Sequence, residues 1–384
     1  MIERATHLAK LERLLRDFRV VAILGARQVG KTTLARMLAA RRRGQTTFFD
    51  LEDPRDLARL ADPMLALSDL RGLIVLDEVH RRPEIFPALR VLADRPRGPR
   101  FLVLGSASPE LLRQSSETLA GRIAFHVLGG LALDEVGNRG ASRLWQRGGF
   151  PRSYTARSDR ASYEWRETLV QTFLERDLPQ LGIRVPGMTM RRFWAMLAQY
   201  HGQIWNASEF ARSFGVSDMS VRHYLDLLTG TYMVRQLLPW HENLGKRQVK
   251  SPKVYLADSG LLHTLLGLAT AEQLERHPKV GASWEGFCLE MVIKHLGAAP
   301  QQCYFWATHS GAELDLLLLQ PSGRGRRGFE FKRSSAPTLT PSMKTAMQDL
   351  QLDSLDVIHA GEHTFPLAPN IRAVSLQRLL IDVK

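Results

Sequence analysis

The chain has 384 residues, 52 Lys and Arg against 39 Asp and Glu, a formal net charge of +13 and 44% hydrophobic residues. This is globular composition with length for two or three domains, and it excludes bulk disorder and collagen-like or coiled-coil fibres. The two cysteines, Cys288 and Cys303, are too few for a disulfide framework or a four-cysteine zinc site, and they suit a reducing cytoplasm.

The charged N-terminus MIERATHLAKLERLLRDF has no signal-type apolar stretch, and no run of 18 apolar residues predicts a membrane span. The first 130 residues place short β-rich runs at 20–24, 46–50, 73–77 and 101–105, each followed by a longer helical pattern. Buried strands alternating with helices predict a parallel sheet covered on both faces, an α/β fold. The run VVAIL leads directly into GARQVGKT (25–32), which is G-x-x-x-x-G-K-T, a P-loop. Its backbone N–H groups wrap phosphates, Lys31 reaches the β- and γ-phosphates, and the Thr32 hydroxyl ligates magnesium. The expected nucleotide-binding set is Gly25, Ala26, Gln28, Val29, Gly30, Lys31, Thr32 and Thr33, with ATP and Mg²⁺ as cofactors. LIVLDEVH ends a strand in Asp77, placed to hold magnesium with Thr32, and Glu78, placed to polarise the attacking water. His80 reads as a neighbour of that pair rather than a ligand. FLVLGSAS ends the next strand. Ser106 or Ser108 there either orients the water or belongs to an ordinary Ser-rich turn. Arg122, in ETLAGR, is either a finger that reaches a neighbouring subunit's γ-phosphate or a surface arginine.

Residues 131–187 read as helical. From 188 to 256, an amphipathic helix, a short helix and a longer helix (SDMSVRHYLDLLTG) have helix-turn-helix spacing, followed by a strand, a turn-prone basic stretch and the strand KVYLAD. Either Arg222 and His223 form a recognition helix with Lys246, Arg247, Lys250 and Lys253 on phosphates, or the unit serves protein packing. Further on, AELDLLLL carries Asp315 and FEFK carries Glu330 and Lys332, which share a strand face. A hairpin brings Asp315 near both, and Glu285 on the helix WEGFCLEMVIKHL is a candidate fourth member. Two carboxylates and a lysine are the parts for magnesium-assisted phosphodiester cleavage. The same residues also fit an edge-strand charge ladder, or a nuclease-like fold that only holds DNA or partners.

GARQVGKT, LIVLDEVH, FLVLGSAS and ETLAGR, then GGFPRSY (148–154), FLERDLPQLG (173–182), KSPKVYLADSGLL (250–262), WEGFCLE (284–290), YFWATHSGAELDLLL (304–318) and FEFKRS (329–334), resemble a bacterial and archaeal family of AAA+-type ATPases. The resemblance spans nearly the whole chain. It implies a P-loop AAA+ core over 1–130, a helical lid over 131–187, a winged-helix unit over 188–256 and a PD-(D/E)xK restriction-endonuclease-like α/β domain over 257–384. It also implies Arg122 as a trans-acting finger. The expected protein is a cytoplasmic, magnesium-dependent ATPase, with no membrane partner, that assembles into a homo-oligomeric, hexameric ring and moves DNA as a translocase, helicase or branch-migration motor. Two alternatives are an ATP-gated nuclease or signalling switch in a defence or stress response, and an ATP-dependent protein adaptor.

Overall fold

The computed structural model describes residues 2–96, 98–106, 118–180, 185–241, 250–320 and 325–384, with the side chain of Ser106 excepted. The chain forms two compact units. The first comprises Met1–Gly130 with Gly230–Tyr232, and the second comprises Leu131–Thr229 with Met233–Lys384.

The first unit holds five strands: β1 (Val20–Gly25), β2 (Thr46–Asp50), β3 (Leu73–Asp77), β4 (Arg100–Ser106) and β5 (Ile123–Val127). They pair in the order β2-β3-β4-β1-β5, all parallel. Every residue of β1 and β3 is buried, as continuous apolar strands between helical layers must be. α1 (Ala5–Asp17), α2 (Lys31–Arg41) and α3 (Ile85–Ala93) supply much of the cover. α1 buries Leu8, Leu11 and Leu15 at helical spacing. β5 is the strand the sequence pattern does not announce. It lies on the edge, and Phe125 and Val127 are 37% and 51% exposed, so its apolar run carries no burial signal.

The second unit opens with helices, the longest being α4 (Asp159–Thr172). Residues 131–180 form a series of helices, and they are tied to the rest of this unit. Arg166 on α4 is 2% exposed, and its guanidinium donates to Thr264 Oγ1 at 2.7 Å, Ser162 Oγ at 2.6 Å and the Arg147 carbonyl at 3.1 Å. Thr264 sits on α8 (Ser259–Leu265), so a buried charge ties these helices into the C-terminal unit. Between them run α5 (Gly187–Gln199), β6 (Gln203–Ile204), α6 (Ala207–Phe214), α7 (Asp218–Gly230), β7 (Val234–Pro239) and β8 (Lys253–Leu256). Asn206 caps α6 and Gly215 ends it in a left-handed conformation (φ 64°).

The remainder is α9 (Val280–Leu296), β9 (Cys303–Ala307), β10 (Glu313–Leu319), β11 (Arg326–Lys332), α10 (Pro341–Asp349), β12 (Ser354–His359), β13 (Phe365–Ala368) and β14 (Ile371–Ser375). One nine-stranded sheet runs β13-β14-β12-β11-β10-β9-β7-β8-β6. β7 pairs with β9 through Leu238↔Tyr304 and Pro239↔Phe305. The boundary expected between residues 256 and 257 therefore lies inside a continuous sheet, because backbone hydrogen bonds join strands on both sides of it. Among the described residues, no helix is long and apolar enough to cross a membrane.

Two imidazoles in this unit are buried and neutral. Burial pushes His201 down to about 3, with the charges of His263 and Lys279 adding to it, and its Nδ1 accepts the Leu256 N–H at 2.9 Å. Burial likewise pushes His263 down to about 4, and its ring nitrogens meet the Gln146 carbonyl at 2.9 Å and Ser283 Oγ at 2.7 Å. An unfolded histidine titrates near 6.5, so below that pH the unfolded chain takes up protons that the folded one refuses. The stability is whole above pH ~6.5 and is lost progressively as pH falls towards ~4, at about 2 kcal/mol per histidine by pH 5. The raised carboxyls of Glu285 and Glu330 in the same unit gain stability over that range and offset the loss in any global midpoint. The rings are therefore read directly: the imidazole nitrogen-15 shifts of His201 and His263 are expected to stay those of neutral rings from pH 7 to pH 5, and a protonated pattern at pH 5 means these rings are not held neutral.

Candidate functional site

The P-loop follows from strand and helix geometry. β1 stops at Gly25, where a Cβ would stand 2.2 Å from the Leu128 carbonyl oxygen, so only glycine fits. Gly30 turns the chain into α2 with φ 98°. Ala26 and Val29 are buried, while Gln28 (φ 64°) and Thr33 are exposed at the lip. Lys31 is 6% exposed, and its Nζ donates to the carbonyls of Gly25 at 3.1 Å and Ala26 at 3.0 Å. Those neutral acceptors hold an ammonium in place and yield to a phosphate, which binds it far more strongly.

Thr32 Oγ1 donates to Asp77 Oδ2 at 2.6 Å, joining the loop to the end of β3. The hydroxyl and carboxylate meet as a magnesium site of this class requires, and these two residues would hold the ion. Burial raises Asp77, and the Thr32 hydrogen bond opposes that shift. Glu78 adopts a left-handed conformation (φ 53°, ψ 44°), costly for a non-glycine residue and typical of sites where a side chain must be aimed. Its Oε2 lies 3.2 Å from His80 Nδ1. Burial raises the Glu78 carboxyl, but the His80 hydrogen bond and the charges of Lys31, His80 and Arg27 outweigh it and leave the group below its ordinary value. An ionised carboxylate is what a general base needs. Ser106 closes β4 with its backbone paired to Gly25, between the P-loop strand and the Asp77 strand. Its side chain and Ser108 lie outside the described residues.

Arg122 stands just before β5, whose Ile123 pairs with Val20 at the start of β1. It is therefore at the opposite end of the parallel strands from its own P-loop. Its guanidinium forms a two-pronged pair with Asp94, 2.6 Å and 3.0 Å, at an exposed position. Sequence reasoning missed Arg4. This residue is 4% exposed and donates to the P-loop carbonyl of Val29 at 3.1 Å and to Gly129 O at 3.1 Å. The N-terminus otherwise reads as a solvated charged helix, and nothing local marks one arginine in it as buried.

Of the expected DNA contacts, Arg222 and Lys250 are exposed, with the Arg222 guanidinium over the Trp205 ring at 5.5 Å. α7 also exposes Asp218 and Asp226, so its outer face is mixed in charge. Lys246 and Arg247 lie outside the described residues. Lys253 is a correction. It is 4% exposed, forms an ion pair with Glu313, and lies 3.5 Å from Asp315 Oδ1 and 3.6 Å from Glu285 Oε1. A buried ammonium enclosed by three carboxylates cannot contact a phosphate backbone.

The predicted C-terminal residues do converge. Asp315 and Glu330 are buried on β10 and β11, next to the pair Leu316↔Phe329. Asp315 Oδ2 accepts the Phe331 N–H at 3.1 Å, and Glu330 Oε2 holds Lys332 Nζ at 2.9 Å. Glu285 Oε1 accepts from the Tyr255 hydroxyl at 2.6 Å. Burial and the charge of Asp315 push Glu285 up to about 7 and Glu330 up to about 8. Among the described residues, no group of three or more His, Cys, Asp or Glu is arranged to hold a metal ion.

The strand order, the phosphate loop and the Asp77–Glu78 pair define a P-loop ATPase of the AAA type. The AAA domain model matches residues 17–137, and two domains of unknown function, DUF8612 and DUF4143, match 138–272 and 280–379. The chain is 52% identical over 381 residues to the uncharacterized proteins Rv2008c of Mycobacterium tuberculosis (strain ATCC 25618 / H37Rv) and Mb2031c of Mycobacterium bovis (strain ATCC BAA-935 / AF2122/97), covering 99% of this chain and 85% of each relative. It belongs to the same family as these two proteins. Among solved structures, the Walker-type ATPase PABY2304 of Pyrococcus abyssi is 15% identical, covers 69% of this chain and 96% of its own, and has a TM-score of 0.49. The RuvB Holliday junction branch migration motor of Thermotoga maritima is 18% identical, covers 61% and 90%, and has a TM-score of 0.33.

Gly25→Ala tests the loop. The added methyl collides with backbone, so nucleotide affinity is expected to fall by about tenfold or more, a difference of roughly 1.4 kcal/mol. A fluorescent ATP analogue bound as tightly as by the unchanged chain counts against the close approach to Leu128.

Proposed function

We propose that the protein is a magnesium-dependent ATPase that works as a homo-oligomeric, hexameric ring and uses hydrolysis to move bound DNA. The observation that carries this reading is the placement of Arg122. It lies at the far end of the strands from its own P-loop, where its guanidinium serves a neighbour's γ-phosphate rather than its own. The exposed Asp94 pair is the resting partner it leaves on assembly, at little cost because exposed ion pairs contribute about 1 kcal/mol or less. Ser106 is proposed to orient the attacking water from its place between the two motif strands.

Two features of the second unit support a nucleic-acid substrate. Helix α5, β6, helices α6 and α7, then β7 and β8, with β6 and β7 both antiparallel to β8, follow the order of a winged helix. The succession α9-β9-β10-β11-α10-β12, with β9 to β11 antiparallel and β12 parallel to β11, follows that of a PD-(D/E)xK nuclease core. The net charge of +13 agrees with a polyanionic partner. With Lys253 withdrawn, Arg222 and Lys250 are the described residues proposed to contact DNA, joined by Lys246 and Arg247.

Three variants separate the roles. Lys31→Ala is expected to lose tight ATP binding. Glu78→Gln is expected to bind ATP and barely turn it over, because the amide cannot take a proton from water. Normal turnover by Glu78→Gln removes that residue from its role.

Arg122→Ala is expected to keep nucleotide affinity and lose about 10³-fold or more in turnover. Mixing it with Lys31→Ala is expected to restore part of the activity, since one interface then joins an intact P-loop to an intact arginine. A mixture that stays inactive while subunits exchange refutes the shared site. Duplex DNA is expected to stimulate wild-type turnover at low salt and lose that effect as salt rises. Turnover indifferent to DNA at every salt concentration leaves the ATPase without this substrate.

A further inference from the structure

The PD-(D/E)xK reading of the C-terminal core calls for a divalent cation between Asp315, Glu330 and Glu285. The side chains there do not fit one. Lys253 enters the cluster from β8, a strand outside the nuclease-like succession, and its ammonium stands among Glu313, Asp315 and Glu285. The ring of Phe305 lies 5.7 Å from the same Nζ and presents its face to the cation. Further donors meet the same carboxylates. Asp315 Oδ2 takes the Phe331 N–H, Glu285 Oε1 takes the Tyr255 hydroxyl, and Glu330 Oε2 takes Lys332. Magnesium needs near-octahedral oxygens at about 2.0–2.1 Å. Here those oxygens already face an ammonium and fixed donors.

The lysine cannot swing clear as an exposed side chain would. β8 is paired on both sides, with Lys253 opposite Ile204 and Leu237, and the side chain is 4% exposed. Its charge is part of the fold.

We propose that Lys253 is the resident cation of this cluster, standing where the nuclease-like reading calls for a metal, so that the site takes up neither Mg²⁺ nor Mn²⁺. The inference rests on that reading for the expectation of a metal, and on the contacts of Lys253 for its exclusion. The cluster then fastens β8 to α9 and β10 by charge, and this unit holds its ligand without metal-assisted cleavage.

The test is Mn²⁺ binding by the full-length chain, read as loss of the free-ion electron paramagnetic resonance signal, without nucleotide or DNA. Wild type and Asp315→Asn are expected to give the same titration, since Asp315 coordinates nothing. Lys253→Met is expected to gain one site at least tenfold tighter than any in wild type, and Lys253→Met/Asp315→Asn to lose it. Mn²⁺ is also expected to raise the melting temperature of Lys253→Met and not that of wild type. A wild-type Mn²⁺ site abolished by Asp315→Asn overturns the proposal, and so does a folded Lys253→Met with no new site. Removing one partner of a buried ion cluster is severely destabilising, so Lys253→Met can fail to fold. The comparison of wild type with Asp315→Asn then decides alone. Failure of the DNA reading appears separately, as ATP turnover indifferent to DNA, and leaves this titration unchanged.

Discussion

Parallel strand pairing is the constraint on which the nucleotide half of the molecule depends. In a parallel sheet all strands end on the same edge, so residues that follow them are brought together however far apart they are in sequence. β1 pairs with β4 from Val20↔Phe101 to Gly25↔Ser106, and β4 pairs with β3 from Leu73↔Arg100 to Leu76↔Val103. This register delivers Gly25, Ser106 and Asp77 to one edge. The hydrogen bond between Thr32 and Asp77, which are 45 residues apart, is its product. The opposite edge is equally defined, and Arg122 stands on it. Arg122 is thus kept away from its own phosphate loop.

What the sequence made legible was chemistry compressed into a few adjacent residues. The P-loop spans eight positions and the Asp77–Glu78 pair two, and both follow apolar strands whose burial the composition states directly. The convergence of Asp315, Glu330 and Lys332 was readable for the same reason, since a hairpin joins neighbouring strands. Non-local packing was not readable. KSPKVYLAD looks like a basic wing because its lysines are close together, yet Lys253 is buried by Glu285, Glu313 and Asp315, more than 30 positions away. The helices between 131 and 180 were legible as helices, but their attachment was not. It is made by Arg166, one arginine among many, reaching Thr264 from α4. β5 escaped notice because an edge strand half open to solvent has no reason to be continuously apolar.

Lys31 and Lys253 differ in the partners that burial leaves them. Lys31 and Lys253 are 6% and 4% exposed, and both leave water for a fixed set of oxygens. Lys31 Nζ donates to two neutral backbone carbonyls, and its charge also helps to lower the Glu78 carboxyl. An incoming phosphate replaces those weak backbone acceptors with strong ones. Lys253 is surrounded by carboxylates, so its charge is already matched. A phosphate approaching it would have to displace anions that the fold holds within a few ångströms.

The same distinction explains why a nuclease-like strand order does not by itself make a nuclease. Metal-assisted cleavage needs carboxylate oxygens whose charge is left over once the fold is complete, because that excess draws the cation in. In the C-terminal sheet the chain's own ammonium groups, Lys253 on one side and Lys332 on Glu330 on the other, stand against those oxygens. At the P-loop the Asp77 carboxylate meets a neutral hydroxyl, that of Thr32, rather than an ammonium of the chain. On the proposed reading, the charges of the C-terminal cluster hold β8 to α9 and β10.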